Sequence, residues 1–378
     1  MLGWLRRWVK ARESADGAGG EDVEVAPAPR AAVPASHAGQ PPPRRRVPDA
    51  AATPEPEGDP RSPFAPLARA LGVPVPAPLP DPETVEPDPV VEEAAARLME
   101  HFRRNRPGPA SAPSLSLRVL NLVASPDLEM SEMVRLVSAD PALSAGLLTV
   151  ANSVHYRGLE EIETVRAAVV RLGLEEVARV AGALAAKSLF NPRLKAELAA
   201  HAGRFAALYH RSITVANGAA FVALQRRGGR PDRAFLGGLL HDVGRSVALR
   251  SAVALAPAGG PPPPGDLLDR VLDRVHVEVG AECHQEWSMP QYLTVIAVRH
   301  HEPVIPADAE FADLHAVRLA SALAHLRDHG MESRAAAEIV QSASALGMDV
   351  FAVRSVDAEL REAGQRAAAA FGLEHARR

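Results

Sequence analysis

Prolines decide where this chain can fold. Nineteen of its 34 prolines fall in the first 90 residues. Proline lacks the backbone N–H and fixes φ, so so dense a segment cannot sustain helices or sheet ladders. Residues 13–90 also hold 13 acidic residues and six arginines, leaving too little apolar surface to offset the entropy of ordering. The stretch 13–90 is therefore expected to be a disordered Pro/Ala-rich linker. Pro41-Pro42-Pro43 followed by Arg44-Arg45-Arg46 reads as its stiffest part. A core should begin near residue 90.

Downstream the composition is that of an all-α domain. Aromatic residues are only 4% and hydrophobic residues 47%, with Ala, Leu and Val dominant, which favours helices over a β-sandwich. Cys283 is the only cysteine, so an internal disulfide framework and a Cys-rich zinc or iron–sulfur site are excluded. A net charge of −4 provides no global basic field, and nucleic acid is not an expected partner. No run of 18 apolar residues exists to span a membrane. Residues 1–12 form a basic amphipathic segment. Leu2, Trp4, Leu5, Trp8 and Val9 fall on one helical face and Arg6, Arg7 and Lys10 on the other, a pattern suited to peripheral contact with an anionic membrane surface or to a partner's groove.

Helical periodicity begins at Val90. Glu92 to Phe102 reads as a lead-in helix within 91–110, broken by Arg106-Pro107-Gly108-Pro109. Ser131 is a candidate N-cap for a helix over 132–137. Asp140-Pro141 is a helix start, with Asp as N-cap and Pro at the first helical position. Thr164 opens another helix that Gly173 stops.

Five histidines and one aspartate form a spaced series: His210, His241-Asp242, His276 and His300-His301. Imidazole and carboxylate together suit Zn, Mn, Fe or Ni. An adjacent His-Asp pair puts a neutral nitrogen ligand and a bridging-capable carboxylate at one point, as a hydrolytic metal centre requires. A histidine on an apolar helix face is also a common hydrogen-bonded core residue, and spacing alone leaves both readings open. Cys283 shares a helical face with His276 and Gly280 and has no catalytic role.

Several motifs in order resemble the HDOD family. They are Asp140-Pro141-Ala-Leu143 with Asn152-Ser153; Leu239-Leu240-His241-Asp242-Val-Gly244-Arg245; His276 to Gly280; Trp287-Ser-Met-Pro290; and His300-His301-Glu302-Pro303. The resemblance runs from about Pro113 to Leu326, inside a domain placed at 111–326, with residues 327–378 expected as C-terminal helices packed on it. It implies an all-α, HD-superfamily-like bacterial signalling module, related to HD phosphohydrolases and to HD-GYP phosphodiesterases that cleave cyclic di-GMP. It also implies His210, His241, Asp242, His276, His300 and His301 as metal-ligand positions, with His241 and Asp242 as vestigial catalytic candidates. Asp140, Pro141, Asn152 and Ser153 are family-motif positions suited to recognition.

Two departures shape the expected function. Ser321 stands where the phosphohydrolase pattern has a late aspartate, and the Gly-Tyr-Pro signature does not follow His301-Glu302. Serine is a poor metal ligand because its hydroxyl stays protonated, so a divalent metal (Fe, Mn, Zn or Ni) is expected at low occupancy, and Ser321→Asp is expected to raise it. Asp313 lies about two helical turns from Ser321, too far along the axis to substitute. The expected function is a cytoplasmic regulatory scaffold, able to sit at the inner face of the membrane. It would act by binding a signalling protein or a nucleotide second messenger rather than by catalysis. The alternative is a metal-dependent phosphohydrolase acting on a nucleotide.

Overall fold

In the computed structural model the described residues are 65, 68, 69, 88–105, 114–125, 127–153, 156, 162–190, 201–255, 265–329 and 333–371. They are mostly helical, with no strand among them. The amphipathic segment 1–12, the Pro41–Arg46 stretch and most of the linker lie outside them.

The helices run in order as α1 (Pro89–Arg104), α2 (Ser114–Val123), α3 (Met130–Ser138), α4 (Pro141–Ala151), α5 (Val165–Leu172) and α6 (Leu174–Phe190). These are followed by α7 (Ala202–Leu224), α8 (Pro231–Leu240), α9 (Val243–Leu255), α10 (Gly265–Glu286) and α11 (Gln291–Arg299). A short 3₁₀ turn (Ala309–Phe311) leads to α12 (Ala312–His329), α13 (Ser333–Ala345) and α14 (Val350–Phe371).

Local chemistry sets several ends. The Asp140 carboxylate accepts from the Ala142 (2.7 Å) and Leu143 (3.2 Å) amides and Pro141 takes the first helical position. Thr164 caps α5 through the Ala167 amide at 3.1 Å, and Gly173 ends it at φ +80°, a conformation that L side chains resist. Asp88 caps α1 through the Val90 amide at 2.8 Å. The structure corrects two expectations. α3 starts at Met130 after Glu129, and Ser131 lies inside it rather than capping it. Ala65 and Ala68 are buried helical positions within the stretch expected to be unstructured. Ala65 and Ala68 stand three residues apart, the spacing of one helical face, a signal that the regional proline density hides.

The core is built in two hydrophobic clusters that share α7. Phe205, Tyr209, Ile213 and Ala220 belong to one, with α1–α6, α9 and α10. Val215, Ala219, Val222 and Ala223 belong to the other, with α12, α13 and α14. α7 is thus buried on opposite faces, and the run Ala216-Asn217-Gly218-Ala219-Ala220 lets its neighbours approach closely. α8 and α14 both pack along it, and α13 packs on α12. Among the described residues no single helix is long and apolar enough to cross a membrane.

The closest approach places the site. A Cβ at Gly244, on α9, would lie 2.0 Å from the His276 carbonyl oxygen and 2.6 Å from the Gly280 amide of α10. Both are backbone atoms that cannot rotate away, so the two helices touch only because residue 244 has no side chain. Gly244→Ala is expected to cost at least about 2 kcal/mol by forcing the helices apart. A urea-denaturation midpoint equal to that of wild type would contradict this packing.

Candidate metal centre

Three helix ends and one helix face deliver the side chains. His241 is the C-cap of α8 and Asp242 follows it in the turn before α9. His276 lies along α10, and His300 is the C-cap of α11 with His301 next. His241, Asp242, His276 and His300 are all buried. The His300 ring centroid is 5.1 Å from that of His241, 5.6 Å from that of His276 and 3.9 Å from that of His301.

The ring orientations follow from one repeated device. His241 Nδ1 lies 2.8 Å from the Gly238 carbonyl, His276 Nδ1 2.8 Å from that of Asp273, and His300 Nδ1 2.8 Å from that of Ala297. Each carbonyl belongs to the residue three positions earlier. A carbonyl only accepts, so each Nδ1 carries the hydrogen and each Nε2 is turned inward. Asp242 Oδ1 sits 3.5 Å from His276 Nε2 and 3.6 Å from His300 Nε2, while Asp242 Oδ2 is 3.6 Å from His241 Nε2. Those spacings are too long for good hydrogen bonds. Asp242 Oδ1, His276 Nε2 and His300 Nε2 have no hydrogen-bond partner among the described residues.

Burial pushes His241 down to about 4 and His276 down to about 3, and it holds His301 well below the usual imidazole range. These rings are therefore neutral near pH 7, the form that ligates metal. Burial works against the Asp242 carboxylate. The Arg245 guanidinium outweighs it and holds Asp242 well below its ordinary value. Arg245 Nε is 3.3 Å from Asp242 Oδ2, and Arg245 also pairs with Asp273.

Lone pairs aimed at a carboxylate repel it unless a cation lies between them. Asp242, His276, His300 and His301 offer ligand atoms that all lie within 4.8 Å of one another. Two ligands at about 2.1 Å from a tetrahedral metal are roughly 3.4 Å apart, close to the spacings from Asp242 Oδ1. The residues fit a divalent cation.

His210 is a correction. Its Nε2 donates to the Gly364 carbonyl of α14 at 2.9 Å, and it is not in the cluster. A helix turns about 100° per residue, so its neighbour Arg211 faces the site instead. Arg211 Nη2 donates to the Ser321 carbonyl (3.2 Å) and hydroxyl (3.4 Å), and the Ser321 hydroxyl lies 3.3 Å from His241 Nε2. Asp313 is engaged elsewhere, 3.0 Å from Arg233. Of the family-motif positions, Asp140 and Pro141 shape the start of α4. Asn152 holds Ile162 through two 2.8 Å bonds to its backbone, and Ser153 lines a separate cavity of about 640 Å³ beside Tyr156, Arg179 and Arg366. A second cavity of about 280 Å³ opens directly onto the histidine cluster, lined by Arg211, Arg245, Arg334, Asp273, His301 and Glu338 among others. Sequence reasoning missed these arginines and Glu338. Arg245 had a signal, three residues after Asp242 on the start of a helix, whereas Glu338 had none.

The depressed imidazoles make stability depend on pH. His241, His276 and the buried His284, lowered to about 4, titrate below the value of about 6.5 expected for an unfolded chain. The unfolded state therefore binds protons first. Stability is complete above about pH 6.5 and falls as pH drops toward 4. The urea midpoint of metal-free protein is expected to be lower at pH 5 than at pH 7.5, and equal midpoints would contradict these burials.

Comparison with known proteins agrees with this architecture. An alignment 211 positions long, covering 52% of the chain, is 26% identical to an uncharacterized protein of Treponema pallidum (strain Nichols), but spans only 38% of that relative. An HDOD domain protein with unknown function from Geobacter sulfurreducens superposes with a TM-score of 0.51 at 22% identity, covering 76% of this chain and 99% of its own. A candidate signal transduction protein from Marinobacter aquaeolei VT8 gives 0.52 at 18% identity, covering 75% and 66%. At such identities the likeness is one of fold. The HDOD domain model matches residues 110–303, just over half the chain, and the chain belongs to the HDOD domain family.

Proposed function

We propose that this protein is a regulatory signalling module whose histidine cluster holds one divalent cation and whose arginine-lined cavity takes an anionic ligand such as a nucleotide, without hydrolysing it. One observation carries this reading: Arg211 and Ser321 occupy the His241 side of the cluster, where further ligands would complete a second metal site. A guanidinium is permanently charged and cannot ligate. Its positive charge beside His241 disfavours a second cation there.

Asp242, His276, His300 and His301 would hold the ion. When bound, such an ion supplies Lewis acidity and can lower the pKa of a bound water. The chain's own residues do the rest. Arg245 keeps Asp242 ionised, backbone carbonyls fix the imidazole rings, and Arg211, Arg245 and Arg334 present charged donors to the 280 Å³ cavity. Membership of the HDOD family, and a fold shared with a candidate signal transduction protein, support a regulatory role. A nucleotide or a signalling protein is the proposed partner. The competing reading, a one-metal phosphohydrolase, is favoured by the same ionised Asp242 among histidines and by the arginines beside it.

Metal analysis and turnover separate the two. Wild type is expected to bind about one equivalent of metal and not to cleave cyclic di-GMP, and Asp242→Ala to lose the metal. Robust turnover in wild type, abolished in Asp242→Ala, would establish the enzyme instead. The structure also changes what is expected of Ser321→Asp. A carboxylate there faces the Arg211 guanidinium and pairs with it, so metal content should stay near one equivalent. Only Ser321→Asp combined with Arg211→Ala should raise it. An increase with Ser321→Asp alone would contradict the blocking role of Arg211.

A further inference from the structure

Three of the four clustered imidazoles are aimed by a backbone carbonyl. His301 is the exception: its Nδ1 lies 3.4 Å from a carboxylate oxygen of Glu338 on α13. A carboxylate accepts, so Nδ1 of a neutral His301 carries the hydrogen and Nε2 keeps its lone pair, as in His241, His276 and His300. Glu338 is 6% exposed, and buried carboxylates need a countercharge. Its direct cationic partner, Arg334 at 3.2 Å, is half exposed at the rim. Among the described residues the cluster contains a single carboxylate, Asp242, and Ser321 stands on the opposite side. α13 lies beyond residue 303, outside the span that matches the family model.

We propose that Glu338 is the second carboxylate of this site. It is a positioning residue that holds the proton of His301 on Nδ1 and adds the negative charge that a divalent ion bound by Asp242 alone would lack. The C-terminal helix α13 thereby sets the metal affinity of the domain. The inference rests on the reading of Asp242, His276, His300 and His301 as a cation site.

The test is Zn²⁺ titration by calorimetry on full-length wild type, Glu338→Ala, Glu338→Gln and Asp242→Ala, with imidazole ¹⁵N shifts of His301 in the metal-free proteins. Circular dichroism confirms that each variant folds. Losing the outer partner of a ligating histidine typically weakens metal binding about 10–100-fold, and Glu338→Ala is expected to fall in that range. Glu338→Gln keeps an accepting oxygen but no charge and should lose less, with the His301 signal still that of an Nδ1–H ring. Loss of that signature in Glu338→Ala supports the positioning role. A folded Glu338→Ala that binds Zn²⁺ as tightly as wild type, with His301 unchanged, would overturn the proposal. Failure of the cation-site reading looks different: wild type binds no Zn²⁺, or Asp242→Ala binds as well as wild type. In that case the His301 signal alone decides, and an identical signal in wild type and Glu338→Ala would overturn the role of Glu338 as well.

Discussion

A buried carboxylate must be compensated, and the compensation of Asp242 organises the centre of this molecule. Removing an ionised carboxylate from water costs several kcal/mol even after relaxation. Here Arg245 offsets part of that cost from one turn along α9, and three imidazole Nε2 atoms face the carboxylate, an arrangement that a cation between them completes. Each imidazole reaches Asp242 because a helix ends or crosses there: α8 at His241, α11 at His300, and α10 pressed against α9 at the Gly244–Gly280 contact. The packing of the helices and the chemistry of the cluster are therefore one problem. Moving α9 from α10 by the width of a methyl group shifts His276 against Asp242.

The same cluster supports the proposed reading of the centre as a cation and anion binding site. Nε2 lone pairs converge on an ionised oxygen, an arrangement that a cation stabilises. The other side is closed by a guanidinium and a hydroxyl, Arg211 and Ser321. Three arginines then face the adjoining cavity beside Asp242, Asp273 and Glu338. In that balance of charge a bound divalent ion leaves an excess of positive charge, which favours an anionic ligand over an apolar one.

Much of this was legible in the sequence because it depends on local rules. The His241-Asp242 doublet, the helical face shared by His276 and Gly280, and the His300-His301 pair before Pro303 left two readings open by spacing, and the HDOD resemblance turned one of them into an expected convergence. Asp140-Pro141 and Thr164 announce their helices through capping chemistry that acts over three residues. What was not legible depends on how long helices rotate against partners distant in the chain. Whether His210 or Arg211 faces inward is settled by α14, whose Gly364 carbonyl captures the histidine. Glu338 enters from a helix with no motif, and its role exists only once α13 lies against His301. The burial of Ala65 and Ala68 was masked because two alanines three residues apart disappear inside a proline-rich average.

Anomalous diffraction from crystals of full-length protein grown with Mn²⁺ or Zn²⁺ tests the central claim most directly. The account predicts one ion per chain, at roughly 2.0–2.2 Å from ligand atoms of Asp242, His276, His300 and His301, with Arg211 remaining against Ser321. An ion ligated by Ser321 or His210, or a histidine cluster that stays metal-free while ions bind elsewhere, would contradict it.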